Sequence, residues 1–104
     1  MDVEALKAEA GVAACKYVAN GMNVGLGTGS TVKYTILELG RRVREDGLSI
    51  VGVPTSSATR NLANEVGIPL ADLDELDGLD VVIDGTDEFD PSFQLIKWGG
   101  AALL

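Results

Sequence analysis

Four carboxylates stand within one short stretch, Asp84, Asp87, Glu88 and Asp90, and a single lysine, Lys97, follows them. Asp84 closes the apolar run Val81-Val82-Ile83, and Asp87 comes three residues later, across Gly85-Thr86. Carboxylates at a strand end can hydrogen-bond sugar hydroxyls, move protons between neighbouring oxygens, or ligate a hard cation such as magnesium. They can also do no more than cap a turn and meet solvent. The spacing favours chemistry for Asp84 and Asp87, and solvent for Glu88 and Asp90. Lys97 is the only basic residue after Arg60. Its ammonium can stabilise developing oxyanion charge or pair with one of the nearby acids, and the residues alone leave both readings open. Trp98, the first residue of a Trp-Gly-Gly turn, packs either over a site or over a core edge.

A second chemical feature lies upstream, in Gly25-Leu-Gly-Thr-Gly-Ser-Thr31. A flexible backbone here can aim several N–H groups at one point, and the helix that follows adds its N-terminal amides and partial positive charge. Ser30 and Thr31 add hydroxyls, or cap the helix. Such a nest holds a phosphate without a basic surface. The plain alternative is a tight strand-to-helix turn; its place after the first strand favours the anion. The turn lacks the Gly-Lys-Ser/Thr of a P-loop and does not complete G-x-G-x-x-G. The second strand runs into Pro54-Thr55-Ser56-Ser57, where a dinucleotide site wants an acid for the ribose hydroxyls. A small phosphorylated compound fits better than a nicotinamide cofactor.

These groups need elements to hold them. Val3, Leu6, Ala10, Ala13, Ala14 and Tyr17 recur at helical spacing and predict an amphipathic helix over 3–19. Cys15 falls inside it and reads as a packing residue, since the chain contains no histidine to activate it. Asn20-Gly21 stops that helix. Strands are predicted at 22–26, 49–53 and 81–83, with a short one at 67–70. Helices are predicted from 30 to about 44, with Val32, Ile36, Leu37 and Leu39 as the apolar positions, and from the 54–57 turn to about 66. The stretch 72–80 reads as a loop or helical turn. Short apolar strands alternating with helices indicate a parallel sheet covered on both faces. In such sheets ligands bind beyond the carboxyl ends of the strands. The turns 27–31, 54–57 and 84–90 all fall there, along one edge.

The totals exclude several classes. At 104 residues the chain is one small domain at most. Its net charge of −8 argues against a nucleic-acid partner. Nine of the sixteen acids lie between Asp72 and Asp90, so an anionic ligand has to be held by local donors against the overall field. One cysteine allows no internal disulfide and fits a reducing, cytoplasmic setting. Asp2, Glu4, Lys7 and Glu9 argue against a signal peptide. No apolar run approaches the roughly 18 residues that a membrane span needs.

Taken together, GLGTGSTVKYTILELGRRV, GVPTSSAT, DGTDEFDP and IKWGGAALL occur in an order and at spacings that resemble ribose-5-phosphate isomerase, type A. The resemblance covers nearly the whole chain. It implies a Rossmann-like three-layer α/β/α fold with a mostly parallel sheet. It implies the interconversion of ribose 5-phosphate and ribulose 5-phosphate through an enediolate, with no cofactor and no required metal. The implied partners are a pentose phosphate and further copies of the chain, with no nucleic acid or membrane.

The implied residue roles follow segment by segment. Thr28, Gly29, Ser30 and Thr31 match the loop at the phosphate end of the substrate. Asp84, Gly85, Thr86 and Asp87 match an Asp-Gly-Ala-Asp loop that meets the sugar hydroxyls and takes part in ring opening; Thr86 stands where the family carries Ala. Lys97, Trp98, Gly99 and Gly100 match a Lys-Gly-Gly-Gly segment. Trp98 departs from it, because Trp replaces a glycine's backbone freedom with bulk. Asp84, Asp87 and Lys97 are the catalytic candidates. The family's glutamate base falls in an Arg-Glu-Lys run after the Gly-Gly-Ala-Ala-Leu-Leu segment, so no residue here matches it. On this reading residues 1–104 are the N-terminal part of a single sugar-phosphate isomerase domain, without the later half of the fold or its smaller domain, and AALL begins the helix carrying the base. Activity of this form alone is then absent or residual. A non-catalytic sugar-phosphate sensor of related fold is the alternative, although no DNA-binding helix pair precedes residue 1.

Overall fold

A computed structural model describes residues 2–84 and, as backbone, the strand 96–98. The elements run α1 (Val3–Ala14), β1 (Asn23–Leu26), α2 (Ser30–Glu45), β2 (Val51–Pro54), α3 (Ser57–Glu65), β3 (Val81–Ile83) and β4 (Ile96–Trp98). A 3₁₀ turn over Cys15–Tyr17 extends α1, and another covers Leu73–Glu75. The protein has an α/β fold. Its sheet has the order β2-β1-β3-β4, with β1 parallel to both neighbours and β4 antiparallel to β3. The sheet is therefore mostly parallel, as the alternation of strands and helices implies.

The predicted short strand at 67–70 is reduced to one parallel bridge, Leu70 to Gly52, outside β2. The chain thus steps outward from β1 to β2 to Leu70, then returns across the sheet to β3. Right-handed crossovers place α2 and α3 on one face for two steps in the same direction. The core confirms this. Val24, Leu26, Val81 and Ile83 on the strands pack with Val32, Ile36, Leu39 and Ala63 on α2 and α3. Each fully buried side chain of this size contributes about 1.5–3 kcal/mol of transfer free energy. Against the opposite face, Leu79 and Val82 crowd Gly25 so closely that a Cβ there would meet them at about 3.0 and 2.9 Å. The 72–80 segment covers the sheet at that point.

The structure corrects the reading of α1. Val3, Leu6 and Tyr17 are 45, 47 and 46% exposed, and Ala10 and Ala13 are exposed as well. Of the predicted stripe Ala14 alone is buried, and it shares the buried face with Gly11, Cys15 and Val18. Small size decided this, where hydrophobicity alone pointed to the other stripe. A Cβ on Gly11 would lie 2.6 Å from the Thr31 carbonyl oxygen, so α1 approaches α2 more closely than any larger residue allows. The Thr35 hydroxyl donates to the Gly11 carbonyl at 2.8 Å and fixes the crossing. For the same reason Thr35 is fully buried on α2, whereas Leu37, expected inside, is 39% exposed.

Cys15 packs as the sequence indicates, with 0% exposure. Burial pushes its thiol up to about 11, which keeps it a neutral, unreactive group at neutral pH. Among the described residues no helix is long and apolar enough to cross a membrane.

Candidate functional site

The parallel strands β1, β2 and β3 deliver three segments to one edge. Leu26 runs into the Gly27–Thr31 turn, Pro54 into Thr55-Ser56-Ser57, and Ile83 into Asp84. Because the chain leaves β1 toward β2 while β3 lies on the other side of β1, the strand order reverses between β1 and β3. Ligands of such sheets bind beyond the strand ends at a reversal of this kind, and here the turn and Asp84 stand on either side of it.

Close packing holds the two together. The Gly27 N–H donates to the Ile83 carbonyl at 2.8 Å. A Cβ on Gly27 would meet Asp84 Oδ1 at 2.9 Å and the Ile83 carbonyl at 3.0 Å, so a glycine is needed for the half-buried Asp84 to sit against the turn. At Gly29, φ is 113°, a conformation that L side chains rarely adopt. This single kink turns the extended β1 backbone into α2.

It also corrects the capping assignment. Gly29 is the N-cap of α2, and Ser30 and Thr31 are its first two residues. As at every helix start, the first amides point out of the helix, here toward the carboxyl edge. Thr28 and Gly29 are exposed and Ser30 is half-buried. Thr31 is 2% exposed, with its backbone carbonyl packed against Gly11 of α1.

The second segment supports the first. Thr55 uses both its N–H (3.1 Å) and its hydroxyl (3.2 Å) to hold the Leu26 carbonyl. Ser56 caps α3 by accepting the Thr59 N–H at 3.2 Å. Thr59, buried on α3, donates its hydroxyl to the Gly27 carbonyl at 3.1 Å. A cavity of about 230 Å³ opens between α2 and α3 beside the turn, floored by Val32, Ile36 and Leu62.

Lys33 lines the mouth of that cavity. It makes no ion pair among the described residues, in contrast to Arg41 and Arg42, which hold Glu38 at 2.8 and 2.9 Å, and Arg60, which meets Asp72 at 3.0 Å. Those two arginines pull the Glu38 carboxyl down to about 2. Sequence reasoning missed Lys33 and Thr59. Lys33 was findable as the fourth residue of the helix following the glycine turn. Thr59 had no sequence signal beyond being a threonine in the first turn of a helix.

Lys97 and Trp98 lie in β4, where a turn was expected from Trp98 onward. Lys97 is in register with Val82 and Ile96 with Ile83, so the lysine is on the strand adjoining the one that ends at Asp84. Gly85, Thr86, Asp87, Glu88, Asp90, Gly99, Gly100 and the Ala101–Leu104 segment fall outside the described residues. Among the described residues no three His, Cys, Asp or Glu side chains gather closely enough to hold a metal ion.

Comparison with known proteins bears directly on this edge. The sequence profile of the ribose 5-phosphate isomerase A (phosphoriboisomerase A) family matches residues 51–104, the half that carries β2, Asp84 and Lys97. The chain belongs to this family. Ribose-5-phosphate isomerase A of Streptococcus equi subsp. zooepidemicus is 55% identical over 102 residues, covering 98% of this chain and 45% of that protein. The Streptococcus pyogenes serotype M1 protein of the same name matches to the same extent. Among solved structures, a D-ribose-5-phosphate isomerase in complex with phospho-erythronic acid superposes with a TM-score of 0.82 at 49% identity. It covers 99% of this chain and 45% of that one. Ribose 5-phosphate isomerase A from Methanocaldococcus jannaschii gives 0.76 at 46% identity, over 80% of this chain and 36% of that one. The chain thus spans about half the length of the relatives it matches. None of these comparisons supports the sensor alternative.

Proposed function

We propose that this chain acts in the aldose–ketose isomerisation of ribose 5-phosphate to ribulose 5-phosphate, a step of the pentose phosphate pathway. The observation that carries the proposal is the clamped pair of Gly27 and Asp84 at the point of strand reversal. It puts an anion-suited turn and a carboxylate within a few ångströms of each other. A pentose phosphate has a matching layout, with a dianion at one end and hydroxyls and a carbonyl at the other. That a solved relative is in complex with phospho-erythronic acid supports a phosphorylated, sugar-derived ligand.

In this reading Thr28, Gly29, Ser30 and Thr31 receive the phosphate through backbone amides, the α2 dipole and the exposed Thr28 side chain. Such recognition suits a chain of net charge −8, because the donors are local and preorganised. Asp84, with Gly85, Thr86 and Asp87, handles the sugar hydroxyls and the protons that move during ring opening. Lys97, beside Trp98, Gly99 and Gly100, offers positive charge to the oxygen that gains negative charge in the enediolate. The bonds balance without a redox partner: the C2 proton leaves, an enediolate forms, and a proton returns at C1. Residues 1–104 form part of a single sugar-phosphate isomerase domain, and the same reading includes a cytoplasmic setting and a homo-oligomeric assembly.

The test is an isomerase assay on the chain alone and on a chimera continuing after Leu104 with the remainder of the Streptococcus pyogenes relative. Ribulose 5-phosphate should appear with the chimera and fall by roughly 10²-fold or more with Asp84→Asn. A folded chimera that converts no ribose 5-phosphate overturns the proposal.

A further inference from the structure

We infer that Thr59, on α3, is a positioning residue that sets the phosphate turn in register with Asp84; the inference rests on the functional reading above. Thr59 is 7% exposed and its hydroxyl is spent on the Gly27 carbonyl, so it acts through the backbone of the turn. A carbonyl carries no proton, so in the 3.1 Å contact with Gly27 the Thr59 hydroxyl must donate. Ser56 directs that proton: its hydroxyl donates to Thr59 Oγ1 at 3.0 Å while accepting the Thr59 N–H at 3.2 Å. With one lone pair of Oγ1 engaged by Ser56, the Thr59 proton points at the turn. The relay thus runs from the N-cap of α3 to the carbonyl of Gly27.

Gly27 is held from both sides. Its N–H is bound by the Ile83 carbonyl at 2.8 Å, one residue before Asp84, and its own carbonyl is bound by Thr59. Two anchors on one residue define the turn's translation and tilt against β3. With the Thr59 anchor removed, Thr55 and Ile83 still hold the Leu26–Gly27 peptide, but the next peptide loses its tether, and Thr28 to Ser30 shift relative to Asp84. A ligand that touches only the turn tolerates this; a ligand that spans turn and carboxylate does not. A misplacement of about 1 Å can cost on the order of 10²-fold in a site that depends on geometry.

The experiment is calorimetric titration of the full 104-residue chain with ribose 5-phosphate and, separately, with inorganic phosphate. Thr59→Val, nearly isosteric, should weaken ribose 5-phosphate at least tenfold and inorganic phosphate no more than about threefold. Thr59→Ser restores the hydroxyl and should bind both within about twofold of wild type. Should the valine variant not fold, Thr59→Ala serves instead. Thr59 lines the cavity beside the turn, so a water can enter to satisfy the Gly27 carbonyl without fixing its direction, and the same loss of selectivity is expected. A purely structural role would lower both affinities equally, or neither, and that result overturns the inference. Wild-type chain that binds inorganic phosphate but no ribose 5-phosphate overturns the functional reading itself, and this inference with it.

Discussion

Two regions of this small domain use the same device. At the α1–α2 seam the Thr35 hydroxyl donates to the Gly11 carbonyl at 2.8 Å; at the carboxyl edge the Thr59 hydroxyl donates to the Gly27 carbonyl at 3.1 Å. Both glycines sit where a Cβ would collide with a neighbour. The surroundings differ. Gly11 is closed over by the Thr31 backbone and leads to a fully buried Cys15, whereas Gly27 leads to an exposed Thr28 and Gly29 beside an open cavity. At the seam, close approach contributes stability. At the edge it positions polar groups that remain open to solvent. Local geometry alone therefore does not mark a functional glycine; what lies one or two residues further on does.

Perturbing each region should separate the two uses. The largest effect belongs to the seam. Cys15, buried and with its thiol pushed up to about 11, should react with iodoacetamide at pH 8 about 100-fold or more slowly in the native chain than in denaturant. Equal rates would show that α1 does not stay docked. Next, Gly11→Ala forces a Cβ to within 2.6 Å of a backbone oxygen. Urea unfolding should show a loss of about 2–3 kcal/mol, with ribose 5-phosphate affinity unchanged in the folded fraction. Gly27→Ala should weigh on binding instead: its Cβ meets Asp84 Oδ1 at 2.9 Å and the β3 backbone at 3.0 Å, so β3 and the turn must part by a few tenths of an ångström, at a stability cost of about 1–2 kcal/mol, while ribose 5-phosphate affinity falls about tenfold in calorimetry. If the two alanine variants behave alike, the distinction between seam and edge fails.

Smaller effects come from charge. Arg41 and Arg42 hold the Glu38 carboxyl at about 2 in the folded chain, below its usual 4.5. A depressed carboxylate contributes stability that is present above pH 4.5 and lost as pH falls toward 2. Glu38→Gln should therefore flatten the fall of stability in that acid window and leave ligand binding untouched, as pH-dependent urea denaturation can check. The smallest effect is at Lys33, exposed at the cavity mouth. Lys33→Ala should weaken ribose 5-phosphate only about two- to threefold, and the difference should shrink in high salt. A salt-independent loss would point to packing of the lysine stem instead.

Much of the fold was legible in the sequence because parallel strands buried on both faces read as short apolar runs, and Val81-Val82-Ile83 is the clearest of these. The frame of the candidate site was legible where Gly27 and Asp84 fall at strand ends. The seam was legible only at Ala14, because apolar periodicity also picked out Val3, Leu6 and Tyr17, while packing selected the small residues Gly11 and Cys15 beside it. The β4 strand was hidden because Ile96–Trp98 is three residues long, holds a lysine, and gains its structure from pairing with β3. Thr59 was hidden because its role depends on a long-range contact with Gly27, 32 residues away in the chain.

The central claim is that one edge of the sheet reads both ends of a pentose phosphate. Calorimetric titration of the chain with ribose 5-phosphate, ribose and inorganic phosphate tests it most directly. The account predicts saturable binding of ribose 5-phosphate, weaker binding of inorganic phosphate, and ribose weaker by at least tenfold, with Asp84→Asn reducing the first and sparing the second. Ribose binding as tightly as ribose 5-phosphate, or an Asp84→Asn variant that loses nothing, would contradict it.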